Sequence, residues 1–247
     1  MQPILLYYAN LVLCGIVLLE LLVTFMKNPL LKLYFILIIA SLFAMNYFAI
    51  NGVETRIQLL VVKFARLVYV CSTLLALIHL VHPKIPRWFI GLILFSAMFV
   101  TGLRLVYYEQ INIQPLTSFP NHVFTVGSEF YSPKPGPRYI TLALSIVAIV
   151  IAYYYYRRLL MKLNWESAES RRLSRWIISF VVPFFMLTIF GILGNLRIFN
   201  ETFSSYLFAI FSCTTICSFV LRPKFLVAGL FKDSGADAHK PGSSVAV

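Results

Sequence analysis

Apolar runs long enough to cross a bilayer recur along this chain from Pro3 to Leu221, broken by short polar or proline-bearing joints. A helix needs about 20 such residues to span the roughly 30 Å hydrocarbon core. Spans are read at residues 3–26, 30–50, 58–80, 88–108, 138–163, 176–199 and 203–221, with Lys27-Asn28-Pro29 and Asn51-Gly52 among the breaks. Inside lipid every backbone polar group must be bonded within its own segment or a closed barrel, and barrel strands would show alternating segments of about ten residues. None of the runs alternates, so the expected fold class is all-α, an integral membrane bundle of seven helices. The membrane domain covers residues 1–230, and the Gly- and Ser-bearing residues 231–247 form a polar tail or linker. The first run has no basic segment before it and no small-residue cleavage site, so it is read as a retained span and not a signal peptide.

The 247 residues are 60 % hydrophobic and 12 % charged, with a mean hydropathy of +0.84, which no ordinary soluble domain matches. A net charge of +12 would suit nucleic acid, but the basic residues gather at the ends of apolar runs, where anionic lipid and topology account for them. On one side of the bundle lie Lys27, Lys32, Lys84, Arg87, Arg157, Arg158, Lys162, Arg171, Arg172, Arg175, Arg222, Lys224, Lys232 and Lys240. Only Arg56, Lys134 and Arg138, the last at the start of the fifth span, lie in or beside loops on the other. The positive-inside rule then predicts an outside N-terminus and a cytoplasmic C-terminus. The long proline-rich loop Glu109 to Pro137 would be extracytoplasmic. Loops of that length tend to be functional or disordered, and Phe119, His122, Phe124, Phe130 and Tyr131 suit either a lid or a spacer. Asn164 to Arg175 reads as a short charged connection, and Tyr153 to Tyr156 before Arg157 as an interfacial aromatic belt.

The third run is the unusual one, because Lys63 and Arg66 lie within it, three residues apart on one helical face. A cation at mid-bilayer costs on the order of 2.5–3.5 kcal/mol by insertion scales. Such a residue either snorkels, pairs with an acid, or lines a polar cavity. With the topology above, Lys63, Arg66, Arg104 and Arg197 share one depth in the outer half. Glu54, Glu109, Glu201, Asn46, Asn195 and Asn200 are candidate partners at that level. Cations outnumber acids there, so the expected ligand site is Lys63, Arg66, Arg104, Asn46, Glu109, Asn195 and Arg197, suited to a carboxylate or phosphate. Outer-end Arg197 also fits simple pairing with an acid or a headgroup.

Other polar residues read more plainly. Glu20 in the first span suits pairing with a cation of the same face better than a proton relay. His79 and His82 suit polar caps better than a pH sensor. Pro183, with Gly191 and Gly194, predicts a kink or loose section in the sixth span. Cys14, Cys71, Cys213 and Cys217 all fall in apolar runs and read as packing residues. Cys213 and Cys217 share a face without any His, Asp or Glu beside them, so no metal and no cofactor is expected. Asn200-Glu201-Thr202 matches a glycosylation sequon. The chain contains no metalloprotease, nucleophile-elbow or phosphate-loop motif, so it is not expected to be an enzyme.

At the exit of the seventh span, Phe219-Val220-Leu221-Arg222-Pro223-Lys224-Phe225-Leu226-Val227-Ala228-Gly229-Leu230 resembles the juxtamembrane segment of bacterial regulators that join a seven-helix membrane sensor to a cytoplasmic AraC-type helix-turn-helix domain. Ala228 stands where those regulators carry tyrosine. The seven-span plan is also similar to that of certain sensor kinases. The resemblance implies a sensor module cut off before its effector, since residues 232–247 hold no helix-turn-helix. The expected function is binding of a small anionic or amphipathic ligand from outside, relayed to a cytoplasmic effector. The expected partners are the plasma-membrane bilayer, that ligand and the effector, with a homodimer left open and no nucleic-acid contact by this segment. Rival readings are a transporter or channel lined by Glu20 and the cations, a lipid-directed membrane enzyme using His79, His82 and Glu20, and an assembly subunit.

Overall fold

A computed structural model describes residues 3–24, 26, 28–52, 55–82, 84–108, 136–162, 168–195 and 201–222. Its described residues form seven helices and no strand: α1 (Ile4–Val23), α2 (Pro29–Asn51), α3 (Arg56–Val81), α4 (Arg87–Tyr108), α5 (Gly136–Lys162), α6 (Ala168–Asn195) and α7 (Glu201–Val220). Five are long and apolar enough to cross a membrane, and α4 and α7 contain shorter apolar stretches among the described residues. The chain is an all-helical multi-pass membrane protein.

Side-chain placement follows lipid rules. On α1 the exposed face is mostly aliphatic, with Leu5, Val12, Ile16, Leu19 and Val23 beside Tyr8 and, near the helix end, Glu20, while the buried row is Tyr7, Asn10, Cys14, Val17 and Leu21. Polar groups are therefore mostly inside and apolar ones outside, because the surrounding hydrocarbon offers no hydrogen bonds. The rows recur at three- and four-residue steps, as one face of a helix requires.

The helix ends follow local chemistry. Asn28 caps α2 by accepting from the Leu31 amide at 3.2 Å, with Pro29 opening the helix. Gly52 closes α2 at φ +76°, where a side chain would be strained. Thr55 and Gln58 form a reciprocal capping box on α3. The expected charged connection at 164–175 is corrected in part: α6 is already helical from Ala168, eight residues before the predicted span. Hydropathy locates the lipid-immersed part of a helix, whereas Glu and Arg continue a helix readily beyond it. α6 also stays helical through buried Pro183.

Sequence neighbours pack side by side, and α1 closes the ring on α7. These two helices run parallel in one register. Tyr7 donates to the Ser205 carbonyl at 2.9 Å, Asn10 to the Ala209 carbonyl at 3.0 Å, and Glu20 pairs with Arg222 at 2.7 Å. Asn10 also donates to Asn46 at 3.1 Å, and Asn46 donates to Ser212 Oγ at 2.8 Å, so one polar network joins α1, α2 and α7. Toward the Glu20 end, Trp176 stacks on Phe180 at 5.6 Å, while Phe35 meets Phe219 edge-on at 5.0 Å. This aromatic cluster fastens α2, α6 and α7. α3 takes the middle, touching α2, α4, α5 and α6, and is the most buried of the long spans.

The network predicts that Asn46→Ala lowers stability by about 1 kcal/mol, the scale of an interhelical hydrogen bond in a membrane bundle. Asn10→Ala in the same background adds less than it costs alone, since the two share a bond. Reversible unfolding in mixed micelles checks both values.

Candidate functional site

Along α3, Lys63, Leu67, Val70, Leu74 and Ile78 recur at four- and three-residue steps and so occupy one face. That face borders a cavity of about 600 Å³ flanked by α4 and α5. Phe89, Ile93, Ser96 and Ala97 line it from α4, and Leu144, Ser145, Ala148, Ile151 and Tyr155 are among its α5 walls. The cations stand at one end, near the start of α3. From Lys63 to Ile78 the wall extends about 22 Å at 1.5 Å per residue, and it is almost entirely apolar.

Lys63 is only 3 % exposed, so its ammonium group cannot be explained as a surface charge. Arg66 is half-buried and borders both the large cavity and a second void of about 20 Å³ between Met45, Tyr69, Thr188 and Phe208. That void is about the size one water needs. The Arg66 guanidinium lies directly against the backbone of α6, where a Cβ built at Gly191 would fall 1.6 Å from Nη2 and 2.7 Å from Cζ. Glycine at 191 therefore makes room for the arginine. The expected loose section is at this position a close approach between α3 and α6.

The remaining expected site residues are distributed differently. Asn46 does not line the cavity; it faces α1 and α7 in the network described above. Arg104 belongs to α4, one turn beyond Val100, and Asn195 ends α6; the side chains of both lie outside the described residues. Leu67 packs with Ala97 and Val100, and α3 and α4 are antiparallel, so position 104 is level with position 63. Glu54, Glu109, Arg197, Asn200 and the loop aromatics Phe119, His122, Phe124, Phe130 and Tyr131 also lie outside the described residues, as do the side chains of Glu201 and Thr202 in the sequon.

Glu20 has a structural partner. Its carboxylate, 49 % exposed, meets the Arg222 guanidinium, 5 % exposed, which also donates to the Phe219 carbonyl at 3.1 Å. His79 is buried, accepts the Asn28 side-chain amide and lies edge-on to Tyr34 at 5.9 Å, which ties the end of α3 to the start of α2. His82 is exposed and meets the Tyr155 ring at 6.0 Å. Tyr154 and Tyr155 do more than form a belt, since both line the far end of the cavity. Sequence reasoning assigned these two to an interfacial belt rather than to a binding role, and passed over Ser96, Ser145 and Ala148. Their spacing marks a helical face without saying what that face borders. No group of three His, Cys, Asp or Glu side chains suited to a metal occurs among the described residues.

No protein-family model matches this sequence, and no curated protein matches it.

The Arg66–Gly191 contact predicts that Gly191→Ala displaces the guanidinium, the far end of a flexible side chain, and so lowers stability by only about 1 kcal/mol or less. In an Arg66→Ala background the same change costs markedly less. A double-mutant cycle on thermal unfolding in detergent reads that coupling.

Proposed function

We propose that this chain is a sensory or receptor module that binds a small anionic or amphipathic ligand from the extracytoplasmic side and relays its presence to a cytoplasmic effector. The observation that carries the reading is the cavity between α3, α4 and α5, apolar along its length and bordered at one end by Lys63 and Arg66. A volume of about 600 Å³ falls in the range of small-molecule sites, which are mostly apolar with a few placed polar groups. The asymmetry of loop charges supports an outside N-terminus, which puts the cation end in the outer half of the bilayer. The juxtamembrane residues Phe219 to Leu230, similar to those of membrane-bound AraC-type regulators, support a DNA-binding transcriptional effector on the cytoplasmic side.

The relay follows from where Arg66 stands. It touches the ligand cavity on one side and α6 on the other, so an anion in the cavity competes with α6 for the guanidinium. Ligand would then favour a second packing of α6 on α3, and differential affinity for the two packings is what moves the equilibrium. α6 is suited to transmit the shift. It contains Pro183, which removes one intrahelical bond, and it continues into Arg171, Arg172 and Arg175 at the proposed cytoplasmic face.

The test is thermal stabilisation of the purified protein by a panel of anionic metabolites and amphiphiles. A ligand at about a hundredfold excess over its Kd raises the unfolding temperature by about 5 °C or more. Lys63→Ala and Arg66→Ala abolish that rise, and Arg104→Ala weakens it. Proteoliposomes show no flux of the same ligand. A panel without a stabilising member, or variants that respond like the parent, would overturn the reading.

A further inference from the structure

We infer that the ligand of this cavity is a bilayer-borne amphiphile, a hydrocarbon chain ending in an oxyanion, with its head at Lys63 and Arg66 and its chain lying along α3. This rests on the cavity being a ligand site and narrows what it takes. Three observations carry it.

The first is the polarity gradient. Both cations are at one end, and the wall descends through Leu67, Val70, Leu74 and Ile78 over about 22 Å. A small hydrophilic anion held at that end would leave most of the wall uncovered. The second is access. Leu144, Val147 and Val150 line the cavity and are 37, 51 and 62 % exposed, more than side chains sealed inside a closed cavity would be. α4 and α5 each pack far more closely on α3 than on one another. The cavity therefore opens sideways, between α4 and α5, onto the surface that lipid covers. The third is charge complementarity. Lys63 is buried at hydrocarbon depth, where cations are costly and mark functional positions, and an oxyanion head offers it and Arg66 charge-assisted hydrogen bonds.

The same physics says where selectivity arises. Lipid tails are as apolar as the cavity wall, so moving a chain from bilayer to cavity brings little hydrophobic gain. The bilayer concentrates the amphiphile, and the head decides whether it stays. Changing the head thus matters much more than changing the chain length.

The experiment uses the full chain in phosphatidylcholine nanodiscs with a palmitate carrying a mid-chain diazirine, followed by irradiation and peptide mapping. Labelling is expected on the walls formed by Leu67, Val70, Ile93 and Ala148. The alcohol of identical chain labels these positions about tenfold less, the effect of losing one hydrogen bond to a charged group, and Lys63→Gln with Arg66→Gln lowers palmitate labelling by a similar factor. Ala148→Phe intrudes on the cavity and lowers the label. If that variant fails to fold, the head-group comparison on the unaltered protein still decides. Equal labelling by acid and alcohol, or label spread evenly over Val12, Ile16 and Leu19 on the outside of α1, overturns the inference. Should a water-soluble anion stabilise the protein while palmitate labels only outer faces, this inference falls and the receptor reading stands.

Discussion

A bilayer interior offers no hydrogen bonds, and that lack governs how this bundle is assembled. A polar side chain on a membrane-crossing helix is favoured when it turns inward and finds a partner there. Asn10, Asn46 and Ser212 do so between α1, α2 and α7, with Tyr7 one turn away bonded to α7. Glu20 and Arg222 do so at the end where both α1 and α7 finish. Threonine and serine hydroxyls bond back to their own helices, as Thr188 does to the Phe184 carbonyl and Thr215 to the Phe211 carbonyl. These contacts set the register of the α1–α2–α7 side, and the aromatic cluster around Phe35, Trp176, Phe180 and Phe219 fills it.

The α3–α4–α5 side is built otherwise. There the packing is open, the polar lining includes two cations at one end, and the space between helices is not filled by side chains. One half of the protein is thus a tightly bonded frame and the other borders an open cavity. Arg66 stands at the boundary between them, because its guanidinium reaches across to Gly191 on α6. In the proposed receptor, that boundary is where occupancy of the site becomes a change in the frame.

Much of this was legible in the residues, and the rest was hidden for identifiable reasons. The seven helices follow from length and polarity, because the bilayer thickness imposes a single scale. The early start of α6 was hidden because hydropathy is silent about helix that emerges into water. Lys63 and Arg66 stood out as charges in an apolar run, and Glu20 as an acid seeking a cation of its own face. Asn46 was grouped with the cations by depth alone. Depth carries no information on angular position, and the side chain turns toward Asn10, which itself drew no notice as a small amide in an apolar run. Gly191 suggested looseness, whereas its function is to admit Arg66. A glycine looks the same in sequence whether it bends a helix or lets a neighbour approach. The cavity walls were invisible, since a helical face can be read from spacing but its facing partner cannot.

The central claim is that Lys63 and its row on α3 face the interior. A nitroxide scan of α3 with oxygen as the collision probe tests it most directly, because oxygen dissolves in lipid and meets labels on the outer face far more often. Single cysteines from residue 60 to 70, in a background without native thiols, would be labelled in reconstituted bilayers. The account predicts high accessibility at Val61 and Phe64, the exposed positions of this turn, and lower accessibility at Lys63, Leu67 and Val70. Maxima at 63, 67 and 70 with minima at 61 and 64 would turn the cations toward lipid and contradict it.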